Sequence, residues 1–341
     1  MNKILFWIKN ARDIALPQSI LPALTALVLC IGAEGFCWWT GILAIAGIAA
    51  AHLGMNLADD YFDYKRDSRN RSTLSDNSIR ARMEKCAYIS SGQTTVHATG
   101  KAVAGFLLTA GLTGGIIVAA QYFRQGTGQA LAVIGYALAG LAVGISYSGG
   151  PLKLSFYGLG ELVIGIMFGP LLMLGMQAAC TGIRFSLPML WMSIAIGCLV
   201  TNIVYVHSVM EVKADAELGK MTFARLLRHR SIMLVFCGLF TIAPFVILLA
   251  GICIGWWSPW FLLTLLTLPM SVYLLCSLGR FAYGLPTDDN PRWFMGPMDN
   301  FDKYRQAGID WFLIRWLLAR NIVTFFCLIV IVTQIVILLC K

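Results

Sequence analysis

Long apolar runs dominate the chain. They lie near 16–36, 38–58, 99–121, 130–147, 159–179, 187–210, 232–254, 257–279 and 319–340. About 20 apolar residues wound as a helix match the hydrocarbon thickness of a bilayer. The pattern therefore predicts nine membrane-spanning helices. With the N-terminus inside, the inner polar segments are 1–15, 59–98, 148–158, 211–231 and 280–318. These segments and the adjoining helix ends hold every Lys and Arg except Arg124, Arg184 and Lys341. Lys/Arg bias sets orientation, so the N-terminus is expected in the cytoplasm. Among the acids, only Glu34 falls on the outer side. The first run follows Lys3, Lys9 and Arg12, as a secretory signal would. Pro17 and Pro22 near its start, and no small-residue cleavage site, favour a retained helix.

Composition agrees with the pattern. The chain has 341 residues, 58% apolar and 13% charged, against about 25% charged in soluble domains. So little charge cannot clothe a soluble surface. The expected fold class is all-α: a polytopic membrane protein in one domain, 1–341. A net charge of +9 in a soluble chain would suggest nucleic acid. Here the charge sits beside membrane spans, so the expected partner is the lipid bilayer and no nucleic acid. The ten Cys form no CxxC pair and mostly lie in apolar runs. They are expected to pack as small residues rather than bind zinc or form disulfides. GxxxG spacings recur at Gly111/Gly115, Gly140/Gly144, Gly165/Gly169 and Gly251/Gly255, where close helix packing is the expected role.

No Asp, Glu, Lys or Arg lies near the middle of any span. Ion-coupled transporters place ionisable groups there. A transporter or channel, the competing reading, would have only Asn56 and Asn202 as deep polar groups. A phosphatidyltransferase would carry a D-G-x-x-A-R signature, which the sequence lacks.

The acids gather where helices leave the membrane. Span two ends in Asn56-Leu57-Ala58-Asp59-Asp60-Tyr61-Phe62-Asp63-Tyr64-Lys65-Arg66-Asp67. If the helix continues, Asn56, Asp60, Asp63 and Asp67 share a face by i+3/i+4 spacing, and Asp59 shares it with Asp63. Span six ends in His207-Ser208-Val209-Met210-Glu211-Val212-Lys213-Ala214-Asp215, with Glu217 and Gly219-Lys220 beyond. Glu211 and Asp215 are i,i+4, and Gly219 is the expected helix stop. Such carboxylates repel one another unless a cation joins them. Hard oxygens without His or Cys suit Mg²⁺, which favours one or two carboxylates plus phosphate oxygens. Two acidic helix ends on one side could clamp a diphosphate through Mg²⁺, with Lys65, Arg66, Lys213, Lys220 and Lys153 taking the remaining phosphate charge. Asp76, Glu84, Asp288, Asp289, Asp299 and Asp302 are expected to be ordinary loop charges.

At these residues the sequence resembles the UbiA superfamily of intramembrane aromatic prenyltransferases, over nearly its whole length. The motif N-D-x-x-D-x-x-x-D falls on Asp59 to Asp67, with Asp59 in place of Asn. The second motif, D-x-x-x-D, falls on Glu211 to Asp215, with Glu in place of the first Asp. The run Tyr147-Ser148-Gly149-Gly150-Pro151-Leu152-Lys153, then Tyr157-Gly158-Leu159-Gly160-Glu161 and Phe168-Gly169-Pro170-Leu171, looks like the 1,4-dihydroxy-2-naphthoate polyprenyltransferases of menaquinone synthesis. His207-Ser208 stand where that subfamily has an Asn pair. The loops 59–98 and 280–318 are longer than its usual ones.

The resemblance implies helices bundled around a central cavity opening to the cytoplasm, in a bacterial inner membrane. It implies Mg²⁺-dependent transfer of a polyprenyl group from a polyprenyl diphosphate to an aromatic acceptor, dihydroxynaphthoate or another. Asp63, Asp67, Glu211 and Asp215 become the principal metal ligands and catalytic carboxylates, supported by Asn56, Asp59 and Asp60. Lys153, Arg66 and Lys220 become diphosphate donors, with Lys65 and Lys213 nearby. Tyr147, Tyr61 and Phe62 offer π faces to an allylic cation. Ser148 and His207 are expected at the acceptor. The loops 59–98 and 211–231 would cap the site. The aromatic, basic segment 280–318 would lie on headgroups or act as a lid.

Overall fold

The computed structural model describes residues 3–66, 86–149, 152–217, 219–298 and 300–340. All regular structure among them is helical. The chain opens with α1 (Lys3–Asn10) and α2 (Pro17–Leu29). Then come α3 (Trp38–Arg66), α4 (Val96–Gln125), α5 (Thr127–Ser148), α6 (Gly160–Cys180) and α7 (Leu187–Met210). Two short helices follow, α8 (Val212–Glu217) and α9 (Phe223–Leu227). The last long helices are α10 (Arg230–Cys253), α11 (Pro259–Ala282) and α12 (Asp310–Leu339).

Local chemistry sets several of these boundaries. The Thr95 side chain caps α4 by accepting the Ala98 N–H, and Ser186 caps α7 by accepting that of Met189. Each satisfies one of the orphan donors at a helix start.

The eight long helices from α3 onward, α8 and α9 aside, are long and apolar enough to cross a membrane. The protein is an integral, multi-pass membrane protein. The expected first span, 16–36, is a shorter helix of 13 residues ending at Leu29. At about 1.5 Å per residue it is roughly 20 Å long. The apolar run continues to 36, but Gly32 and Gly35 take positive φ and turn the chain. The turn is held to the end of α6 by Cys37 N–H to the Cys180 carbonyl, 2.7 Å, and Gly182 N–H to the Glu34 carbonyl, 2.8 Å. Hydropathy cannot distinguish an apolar turn from an apolar helix.

At the centre stands α7, apolar all round and the most buried of the long helices. Around it pack α6, α10, α12 and α2, while α4 and α5 show most of their surface outward, as lipid-facing helices do. Contacts define two ends of the bundle. One gathers residues 30–37, 121–129 and 178–186, through Gln121 and Gln129 amides on the Ala179 and Ala178 carbonyls. The other holds both expected carboxylate rows.

The segment after α11 is tied to α12. Span nine starts at Asp310 rather than near 319, so the segment ends at 309. The side chain of Arg315, on α12, is 1% exposed and pairs with Asp289 at 2.9 Å. Its guanidinium also lies 4.9 Å from the Phe281 ring centroid. Asn321 donates to the Met295 and Pro297 carbonyls at 2.8 and 2.9 Å. Asp289 is therefore a structural ion-pair partner, not an ordinary loop charge. Trp293 points away, 94% exposed.

Close packing through glycine is local. On α6 and α7, a Cβ on Gly197 would lie 2.7 Å from the Gly165 carbonyl oxygen, and one on Gly169 2.8 Å from Gly197 Cα. A Cβ on Gly111 or Gly115 would meet nothing within 4 Å, so that GxxxG pair joins no helices among the described residues. Gly197→Val should therefore lower stability by about 1–3 kcal/mol or more through overpacking, whereas Gly111→Val should be near neutral. Thermal unfolding in detergent checks the contrast.

Candidate active site

Helix α3 continues unbroken to Arg66, carrying the first carboxylate row beyond the apolar stretch as the spacing predicts. Its neighbours divide the row. Arg12, between α1 and α2 with φ 62°, places Nη2 at 2.6 Å from Asp60 and 2.9 Å from Asp59. The same nitrogen donates to the Asn56 carbonyl at 3.0 Å, and the Asn56 side chain donates to the Ala11 carbonyl at 2.9 Å. Tyr88 donates its hydroxyl to the other Asp60 oxygen at 3.2 Å.

Asp60 is fully buried, with Arg12 on one carboxylate oxygen and Tyr88 on the other. Through these bonds it anchors the N-terminal segment to α3. Helical spacing put it on the right face but could not say what packs there. Burial lowers the Arg12 pKa, but the charges of Asp60 and Asp59 outweigh it and leave it raised. Burial, then Asp60, raises that of Tyr88.

Asp59 has a second partner, the Ser148 hydroxyl at the end of α5. Lys65 turns back on its own helix, with Nζ 2.5 Å from the Tyr61 hydroxyl. Asp67 and the Arg66 side chain lie outside the described residues.

The second row sits where α7 gives way to α8. Glu211 accepts from His207 Nε2 at 2.9 Å, and the His207 ring meets Phe312 edge-on at 5.0 Å. His207 thus orients a carboxylate of the row; Ser208 is buried beside it. Asp215 is buried, 3.5 Å from Lys220 Nζ. Burial raises its pKa most, against Lys220 and His207, which lower it. Its Oδ2 is buried with no hydrogen-bond partner among the described residues. Lys213 and Lys153 are exposed on the same end.

Arg225 of α9 closes the loop by donating to the Asp215 carbonyl at 3.1 Å and to the Lys220 carbonyl. The helix stops just before Gly219, as expected.

The segment after α5 links the rows. Tyr147 lies within electrostatic reach of Asp59, Asp63, Arg12 and Glu161. Gly149 packs on the Phe62 ring and Gly160 on Tyr147. Gly158, at φ 75°, abuts the Thr222 carbonyl so closely that a Cβ would stand 3.1 Å from it. Glu161 Oε1 accepts the Phe223 N–H at 3.0 Å. The ends of α3 and α7 therefore share one continuous rim.

A profile of the UbiA prenyltransferase family matches residues 19–296. The chain belongs to the UbiA prenyltransferase family. It is a prenyltransferase. A 1,4-dihydroxy-2-naphthoate octaprenyltransferase of Mycobacterium tuberculosis is 25% identical over 78% of this chain and 83% of its own length. The apo structure of a UbiA homologue from Aeropyrum pernix K1 shares the fold, with TM-score 0.59, 15% identity, and 99% of this chain and 100% of that one covered. A UbiA homologue from Archaeoglobus fulgidus bound to DMAPP and Mg²⁺ superposes with TM-score 0.50 at 12% identity, covering 82% and 98% of the two chains.

In this UbiA-family protein several site residues had no pattern to reveal them. Arg12, Tyr88 and Arg225 are single polar residues in unremarkable stretches. Glu161 belonged to a recognisable run but carried no assigned role. Each matters through a partner at least ten residues away in sequence. Arg12→Ala should leave Asp60 buried without its cation and cost about 3–5 kcal/mol. A thermal midpoint in detergent close to that of the unaltered protein would contradict the latch.

Proposed function

We propose that this prenyltransferase is Mg²⁺-dependent and joins a polyprenyl chain to 1,4-dihydroxy-2-naphthoate in menaquinone synthesis. The observation that carries the reading is the shared rim of two carboxylate rows, with one buried Asp215 oxygen left unpartnered among the described residues. An unpaired buried carboxylate oxygen is costly, and a hard divalent cation is the partner its chemistry suits. Among the described residues no three His, Cys, Asp or Glu side chains already converge, so substrate phosphate oxygens would complete the ligand set.

Asp63, Glu211 and Asp215 are the assigned holders of the metal, with Asp67 beyond the described residues and Asn56 and Asp59 in support. When bound, Mg²⁺ offsets the charge of the departing diphosphate. Lys220, Lys213 and Lys153 stand on the same end to bind phosphate oxygens as charged donors. His207 keeps Glu211 turned to the rim. Tyr147, behind the first row, offers an aromatic face to the allylic carbon. In the reaction the allylic C–O bond breaks with its electron pair leaving on diphosphate. The new C–C bond forms to the naphthalene ring, which then loses a proton or carboxyl group to regain aromaticity. Excluding water protects the cation.

The name of the M. tuberculosis relative and the run Tyr147 to Glu161 support dihydroxynaphthoate. The Mg²⁺ and DMAPP named for the A. fulgidus homologue support the cofactor and donor class. The Lys/Arg-rich end is assigned to the cytoplasm, of a bacterial inner membrane.

Purified protein given geranylgeranyl diphosphate and dihydroxynaphthoate should release diphosphate only with Mg²⁺, and EDTA should abolish turnover. Asp63→Ala and Asp215→Ala should each cut turnover by more than the roughly 10–100-fold typical of outer-shell partners. Full turnover in either variant, or in EDTA, would remove the assigned roles. Mass spectrometry of quinones from cells lacking the protein checks the acceptor.

A further inference from the structure

We infer that Glu161 is a positioning residue for the second carboxylate row, acting through the loop that carries Asp215 and Lys220. The inference rests on the prenyltransferase reading above. Glu161 lies in the first turn of α6, 4% exposed. Burying a carboxylate is unfavourable unless its oxygens are bonded. Its Oε1 accepts the Phe223 N–H at 3.0 Å. The Ser208 hydroxyl is within hydrogen-bonding reach, and Lys220 is an opposing charge that acts on it.

The Phe223 N–H is one of the orphan donors at the start of α9. Thr222 takes the next available donor, the Arg225 N–H, at 3.4 Å. Glu161 thereby pins the start of α9. Two residues on, Arg225 holds the carbonyls of Asp215 and Lys220. The Lys220 N–H in turn donates to the Asp215 carbonyl at 2.9 Å. The connection runs without a gap from Glu161 through Phe223 and Arg225 to Asp215.

The same helix end also touches the first row. Gly160 packs on the Tyr147 ring, and Tyr147 faces the charges of Asp59 and Asp63. Gly158 sits against the Thr222 carbonyl. The Gly158–Glu161 turn is thus a fixed spacer between the rows, and Glu161 supplies its bond to the second.

The bond needs an oxygen acceptor at a set reach, not a charge. Gln keeps that acceptor, Asp withdraws it by one methylene, and Ala removes it. Mg²⁺ titration of diphosphate release, with geranylgeranyl diphosphate and dihydroxynaphthoate, separates the cases. Glu161→Ala should raise half-saturating Mg²⁺ by about 10-fold or more, the range for partners that orient metal ligands. Glu161→Asp should share the loss, and Glu161→Gln should recover most of it. A purely structural role would lower thermal midpoints without shifting the Mg²⁺ requirement of the folded fraction.

Hydrogen–deuterium exchange gives a readout independent of turnover. Amides of residues 215–227 should exchange faster in Glu161→Ala and stay protected in Glu161→Gln. Unchanged exchange there would overturn the inference, as would a Gln variant as impaired as Ala beside a normal Asp variant. If the unaltered protein releases no diphosphate, the dihydroxynaphthoate reading fails while exchange still judges Glu161. If it turns over and all three variants match it, only the role of Glu161 falls.

Discussion

Concentrating carboxylates at one end of a membrane bundle sets the terms for everything around them. Each charge taken out of water must find a cation or a donor, or stay neutral. The bundle meets the demand piece by piece. Arg12 takes Asp60 and shares Asp59 with Ser148. His207 takes Glu211, Lys220 faces Asp215, and the Phe223 N–H takes Glu161. Compensation stops at Asp215 Oδ2.

Compensation also dictates which segments must be ordered. The chain before α2 is tied by Arg12 and Ala11 to α3. Tyr88 comes from the far side of the inner loop to reach the same carboxylate. Beyond the second row, Phe312 on α12 buttresses His207, and Arg315 three residues on pins the strap through Asp289. The two features that set this chain's inner loops apart are thus fastened to its acidic rim or to the helix behind it. On the opposite end, backbone and Gln amide bonds suffice, because few charges are present there.

The sequence carried much of this openly. A membrane fold follows from apolar runs that no soluble domain could bury, and eight expected spans coincide with long helices. Both carboxylate rows were legible because i+4 spacing on a continuing helix is a one-dimensional property. What failed was whatever depended on neighbours. The run 16–36 was apolar throughout yet folds as a short helix and a turn. Nothing beside the motif signalled that Arg12 and Tyr88 would hold the Asp60 oxygens. Asp289 looked like solvent-facing loop charge, yet it meets an Arg with a 1% exposed side chain.

The sequence by itself determined the solvent, the helix class and the chemical kind of the rim, because hydropathy, charge and helical period are local to the chain. Tertiary structure alone decided which carboxylates are already paired and which segment spaces the two rows. Pairing depends on distances of a few ångströms between residues dozens of positions apart. A chain that records residue order does not record those distances.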